Sequence, residues 1–268
     1  MLAAAGVAED PARSDSDLGA VVPALEAPRV VERPDVFAVR PWGETDDPIA
    51  LVSSLAGAAD VIAIGDHTWS GFLVDLMGAI PAASFRRAST ITSPIRSVKD
   101  AAEIKQLGAA AGAVDRIATR LRAGEIELAG RTEAEVSAEL SRQIINEGHA
   151  RVNFAIVAAG ENAASPHHQP GERTIRPGES VLCDFGGTMI GDDGVGYCSD
   201  ITRCVSIGEP PPEFADLHSV LVVAQRASVD AATIGTSCEE VDRVGRSIIT
   251  EAGYGDFFVH RIGHGIGV

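Results

Sequence analysis

The chain has 268 residues, 45% of them hydrophobic, which is enough to bury one large core or two smaller ones. Its net charge of −16 and pI near 4.8 argue against the clustered Lys and Arg that a phosphate backbone requires. No apolar run reaches membrane-spanning length, so neither nucleic acid nor a membrane is an expected partner.

The opening stretch MLAAAGVAEDPARSDSD has a short apolar run but no basic segment ahead of it, a poor match to a secretory leader. Cys183, Cys198, Cys204 and Cys238 form no C-x-x-C pair and no compact disulfide framework. A reducing, cytoplasmic setting is therefore expected. Next, RVVERPDVFAVRPW and ADVIAIGD read as β-rich and WSGFLVDLMGAI as helical, the alternation of an α/β unit. At TSPIRSVKDAAEIKQL the region of Pro94 gives way to a charged, helix-favouring run, which divides the chain into domains at 1–94 and 95–268.

Beyond that boundary lies an internal repeat. GRTEAEVSAELSRQIINEGH from Gly130 and GTSCEEVDRVGRSIITEAGY from Gly235 align without a gap, with identical pairs at Gly130/Gly235, Glu135/Glu240, Val136/Val241, Ile144/Ile249 and Gly148/Gly253. Each copy opens on an N-cap, Thr132 or Ser237, with Glu135 or Glu240 as capping-box partner, and closes on a glycine suited to the left-handed C′ position. An extended run follows each, RVNFAIVAAG or DFFVHRIGHG. The fold expected is α+β, with a pseudo-symmetric pair of αβ units.

The first copy continues into ESVLCDFGGTMIGDDGVGYCSDITRCVSIG, a hairpin about the turn GDDGVG. A turn centred near Asp192 sets Asp184 opposite Asp200 on one sheet face. Paired like charges destabilise a sheet, and a divalent cation between them removes the penalty. The alternative is one aspartate in the sheet and one at its solvated rim. The last ten residues, VHRIGHGIGV, place Gly263, Gly265 and Gly267 at every second position, which disfavours a helix and predicts a strand or loop. His260 and His264 then share one side, either serving one site or standing as two satisfied imidazoles.

DFGG followed by SDITR and HRIGHGIG, with GENAASPHH upstream and IRSVKDAAEI at the domain junction, resembles the proline-specific metallopeptidases of the pita-bread fold, the Xaa-Pro dipeptidases and aminopeptidase P. The likeness covers roughly residues 90–268. It implies two divalent ions, manganese, cobalt or zinc, held by two aspartates, one histidine and two glutamates. Of these it carries the first aspartate onto Asp184, the bridging aspartate onto Asp200 and the histidine onto His264. His167 and His260 match histidines that contact the substrate or its tetrahedral intermediate, whereas His168 matches no such role and is expected as a surface or packing residue. The implied reaction is hydrolysis of Xaa-Pro bonds in dipeptides or at peptide N-termini, by a water activated between the two metal ions.

If both copies have equal length, the second stops before its own hairpin. On that reading the catalytic domain is truncated at its C-terminus without the two glutamates, and follows a shortened creatinase-N-like α/β domain. Impaired activity and doubtful metal occupancy are then expected. Two alternatives stay open: a catalytically inactive pita-bread module that binds peptides or partners, and a creatinase-like metal-free hydrolase, which has no need of Asp184 and Asp200. The expected partner is a proline-containing di- or oligopeptide, and the reading admits a homodimer.

Overall fold

The structure is a computed structural model and describes residues 2–4, 18–30 and 37–267. Most of the opening stretch and residues 31–36 of the first β-rich run lie outside the described residues. The chain divides into two compact units, Met1–Val98 and Lys99–Val268.

In the first unit, β2 (Gly19–Pro23) lies between β1 (Leu2–Ala4), which is antiparallel to it, and β3 (Ala38–Trp42), which is parallel. β4 (Val61–Ile64) and β5 (Ser84–Arg87) form a separate parallel pair. α1 (Pro48–Ala56) starts where Asp47 accepts bonds from the Ile49 and Ala50 N–H groups, and α2 (Ser70–Ala79) occupies the segment read as helical. Val21, Val52 and Leu76 form the buried centre, with Trp42, Ile64 and Phe85 against it. Pro94 does not break the chain but lies inside α3 (Ser89–Ser97). The break comes at Val98, whose extended backbone separates α3 from the Asp100 cap of the next helix.

In the second unit, α4 (Ala101–Arg122) and α5 (Glu133–Asn146) each begin in a complete capping box, Asp100 with Glu103 and Thr132 with Glu135. Beyond α5, Gly148 takes a left-handed φ of 102° that lets the chain reverse. Thr132→Ala should therefore lower stability by about 1 kcal/mol in urea denaturation, the usual worth of an N-cap. An unchanged midpoint would show that the bonds around this helix start hold it without the hydroxyl.

The second copy repeats the finish but only half of the start, since Glu240 makes no return bond to the Ser237 N–H. α7 (Cys238–Glu251) begins where Ser237 accepts a bond from the Glu240 N–H, and Gly253 has φ 88°. The copies then diverge. The first enters β6 (Arg151–Ala159), whereas the second enters a short 3-10 turn at Gly255–Phe257 and an irregular loop, so the second extended run forms no strand. β6 has a full partner in β7 (Ser180–Ile190), while the loop meets the sheet where the Cys198 N–H donates to the Gly267 carbonyl at 3.2 Å. α6 (Pro212–Ala231) packs on α7, and Gly245 permits their close approach: a Cβ there would stand 2.4 Å from Ser228 Oγ and 3.2 Å from the Ala224 carbonyl oxygen.

β7 organises the sheet. β6 pairs with one edge, and β8 (Gly196–Cys198) and β9 (Ile201–Ser206) follow one another along the other. Val181, Cys183 and Phe185 are buried in one core with Val114, Ile117 and Leu121 of α4 and Val136, Leu140 and Ile144 of α5. Side chains alternate along a strand, so Asp184 projects from the opposite face.

Candidate active site

Asp184 stands opposite Thr202, not Asp200. The turn is centred on Asp193 rather than Asp192, closed by the Gly191 N–H donating to the Val195 carbonyl at 2.8 Å. Asp193 accepts from the Val195 N–H at 2.9 Å and from the Tyr197 hydroxyl at 2.6 Å. A one-residue move of the centre shifts the opposing residue by two, which carries Asp200 out of the paired position. Thr202 takes that position and donates to Asp184 Oδ1 at 2.7 Å.

Asp200 lies in the interruption between β8 and β9, where the chain crosses the two glycines of DFGG. Ser199 donates its N–H to the Gly187 carbonyl at 2.9 Å, and its Oγ accepts from the Gly187 N–H at 3.1 Å. The buried His149 meets the same hydroxyl through Nε2 at 2.8 Å, and burial holds its imidazole below the ordinary histidine range. A Cβ on Gly186 would fall 2.0 Å from the Ser199 carbonyl oxygen. The absent side chain is what allows the Ser199–Asp200 backbone to approach the sheet.

His264 reaches this place from the terminal loop. On α7, Arg246 is paired with Asp242 and donates to the Phe258 and His260 carbonyls at 2.9 and 2.7 Å. Asp242 Oδ1 accepts from the Ile262 N–H at 2.8 Å. Thus placed, His264 Nε2 lies 3.3 Å from Asp200 Oδ2, while its Nδ1 lies 2.9 Å from the Gly265 carbonyl oxygen.

Burial raises the pKa of the Asp184 carboxyl above the ordinary carboxylate range. The Thr202 hydrogen bond opposes that rise, the Asp200 charge adds to it, and His264 and His167 lower it. Asp184, Asp200, His264 and His167 thus share one electrostatic neighbourhood. His260 instead packs against the Phe258 ring, with centroids 5.2 Å apart, and turns Nδ1 to the Arg261 carbonyl. The structure therefore does not give the two terminal histidines a common contact.

Among the described residues no group of three or more His, Cys, Asp or Glu side chains is gathered closely enough to hold a metal ion. The donor chemistry nevertheless fits a divalent cation. A carbonyl accepts only, so the contact with Gly265 assigns the His264 proton to Nδ1 and leaves the neutral ring's Nε2 lone pair facing a carboxylate oxygen. Two acceptors at that distance repel unless a proton or a cation lies between them. Asp184 adds a second, half-buried carboxylate whose charge the surroundings leave undercompensated.

Sequence reasoning missed Glu133. Its side chain is completely buried and accepts from the Ala159 N–H at 2.8 Å, Asn162 Nδ2 at 3.0 and 3.2 Å, and His168 Nε2 at 2.7 Å. Burial by itself raises its pKa, but the bonds from Ala159, Asn162 and His168 outweigh that and hold the carboxyl below the ordinary range. Of the two expectations for His168, surface or packing residue, the structure gives the second: its ring is mostly buried and hydrogen-bonded to Glu133. An acid in a helix's first turn ordinarily faces solvent, so nothing in the local sequence distinguishes Glu133 from its neighbour Glu135.

The loop after this site carries a second carboxylate cluster. Arg173 binds Glu179 at 2.7 and 3.0 Å and also reaches Glu161, and its guanidinium holds the Glu179 carboxyl down at about 2. A carboxyl depressed in the folded state stabilises above its ordinary value of 4.5, and the contribution is lost as pH falls toward about 2. Thermal melts across that window should show a slope that Glu179→Gln flattens. Equal slopes in both proteins would refute the assignment.

Comparison with known proteins settles the family. Residues 102–268 match the model of metallopeptidase family M24. The chain belongs to metallopeptidase family M24. This M24 chain is 38% identical over 265 positions to a probable dipeptidase PepE of Mycobacterium bovis, covering 92% of the chain and 68% of that relative. It is 39% identical over 212 positions to an Xaa-Pro dipeptidase of Lactobacillus helveticus, covering 75% and 56%. Among solved structures, dipeptidase PepE from Mycobacterium ulcerans superposes with a TM-score of 0.83 at 38% identity, and a prolidase from Thermococcus sibiricus with 0.84 at 32%. Each match covers 93% of this chain and 67% of the other. The M24 chain therefore has the pita-bread fold and is a peptidase by that likeness, and it spans about two-thirds of the length of these relatives. Among the described residues, no helix is long and apolar enough to cross a membrane.

Proposed function

We propose that this M24 peptidase hydrolyses Xaa-Pro bonds of dipeptides or of peptide N-termini, using divalent cations held by Asp184, Asp200 and His264. The observation that carries the reading is the meeting of His264 Nε2 and Asp200 Oδ2 beside the half-buried Asp184. The relatives named dipeptidase and Xaa-Pro dipeptidase support the substrate class. Manganese, cobalt or zinc suits the mixed carboxylate and imidazole donors, and Asp200, which faces His264 and the Asp184 charge, would do most to hold such an ion. When bound, such ions bring the ionisation of water close to neutral pH and polarise the scissile carbonyl.

The chain's own side chains divide the remaining work. Thr202 orients the Asp184 carboxylate through Oδ1. Gly265 fixes the His264 tautomer, so Nε2 is the ligating nitrogen. His167, exposed and within electrostatic reach of Asp184, donates a hydrogen bond to the oxygen that gains charge as the amide is attacked. His260 is proposed as a substrate contact on the resemblance alone.

The test is release of free proline from an Xaa-Pro dipeptide by the 268-residue chain in manganese. A slow, chelator-sensitive release that Asp184→Asn abolishes is expected, slow because three donors compensate less charge than the five the resemblance implies. Absence of any metal-dependent release, or release that survives Asp184→Asn, would refute the proposal.

A further inference from the structure

We propose that Glu133 is a positioning residue for His167, gripping the chain on both sides of that imidazole through Asn162 and His168. This deepens the Xaa-Pro reading above and rests on it. His167 occupies the corner of a turn that runs from Ser165 to His168, in which the His168 N–H donates to the Ser165 carbonyl at 3.1 Å. Pro166 precedes it and presets the backbone angle that such a turn needs at its second position. By itself a four-residue turn on the surface is a mobile support for a group that must meet a developing charge.

One carboxylate removes that freedom. Before the turn, Asn162 donates its side-chain amide to both oxygens of Glu133, and the Ser165 N–H then bonds back to the Asn162 carbonyl at 3.0 Å. After the turn, His168 donates Nε2 to Oε2 at 2.7 Å. A carboxylate only accepts, so Nε2 carries the proton whether or not the ring is charged. Because His168 points inward to Glu133, its neighbour His167 is left exposed, within reach of Asp184.

Glu133 is in turn fixed by its place in the fold. It is the first residue of α5, and its own N–H donates to the Arg173 carbonyl at 3.0 Å. The Ala159 N–H binds its Oε1 where β6 ends. The support runs from the helix start and the end of β6, paired along its length with β7, to the turn, so His167 inherits the rigidity of both. Charge-assisted bonds to a fully buried carboxylate are strong, and each orphaned donor left by its removal is costly.

The experiment uses the full chain with manganese and an Xaa-Pro dipeptide, together with hydrogen exchange across residues 160–168. His168→Ala should lower kcat about tenfold to a hundredfold with little change in KM, the scale of loss for a displaced catalytic group. His168→Gln, which can still donate to Glu133, should recover most of the rate. In a His167→Ala background His168→Ala should cost nothing more, because it acts through that imidazole. Exchange in 160–168 should quicken in His168→Ala while 136–146 of α5 stays protected.

Glu133→Gln probes the carboxylate directly, and the His168 variants carry the test if it fails to fold. Additive losses from His167→Ala and His168→Ala, or unchanged exchange in 160–168, would overturn the proposal. If the wild type releases no proline, or His167→Ala leaves kcat intact, the Xaa-Pro reading fails by itself. The exchange measurement then still decides whether Glu133 holds the turn.

Discussion

Gly186→Ala is expected to destabilise the second unit by at least ~3 kcal/mol, the upper end of what overpacking ordinarily costs. The added Cβ would stand 2.0 Å from the Ser199 carbonyl oxygen, 2.9 Å from its carbon and 3.1 Å from Asp200 Cα. All three are backbone atoms, so no side chain can rotate away. Nor can the crossing segment retreat cheaply, because β8 and β9 on either side of it are hydrogen-bonded to β7 and Ser199 is bonded to Gly187. Against a total stability of about 5–15 kcal/mol for a typical domain, such a loss empties much of the native population. Gly263→Ala is the matched control. A Cβ there meets nothing within 4 Å, and urea denaturation should barely register it. Equal midpoints for Gly186→Ala and the wild type would mean that the chain at Ser199–Asp200 does not cross the sheet as described.

Asp200→Asn is expected to remove most of the stabilisation that manganese confers. A ligand that binds only the folded state raises the melting temperature by an amount that grows with the logarithm of its concentration relative to Kd. The substitution keeps the shape of the side chain and deletes the charge that faces His264 Nε2 and raises the pKa of Asp184. Binding should weaken at least about a hundredfold, more than the 10- to 100-fold that loss of a supporting group costs. His264→Ala takes away one neutral donor and leaves both carboxylates, so its effect should be smaller. The sign in metal-free protein is also defined: with the neighbouring charge gone, Asp184 should titrate at lower pH than in the wild type. A manganese-induced rise in melting temperature that Asp200→Asn leaves intact would remove Asp200 from the cation site.

What could be read from the sequence was local. Thr132 and Glu135 are three residues apart, so their capping box, like the glycine that ends the helix, is written in one turn of chain. Asp184, Asp200 and His264 each sit in a short motif, and Asp200 and His264 meet although they come from distant segments. The partner of Asp184 is not legible locally, because a glycine- and aspartate-rich turn can centre on Asp192 or Asp193 with little local preference. Hydrogen bonds from Tyr197 and Val195 to Asp193 decide it. The alternate glycines of the terminal run disfavour a helix, and none forms over 259–267, but the contacts that place the run come from Asp242 and Arg246, which carry no mark of that role. Glu133 and His168 lie 35 positions apart and meet only when the loop folds over the start of α5. The glycines of DFGG likewise show their purpose only beside Ser199.

The claim that Asp184, Asp200 and His264 form a cation site is tested most directly by calorimetric titration of the 268-residue chain with manganese. One ion bound weakly, and no heat in the Asp184→Asn, Asp200→Asn double variant, is the predicted result. Two tightly bound ions in the wild type, no binding at all, or an isotherm unchanged in the double variant would contradict it.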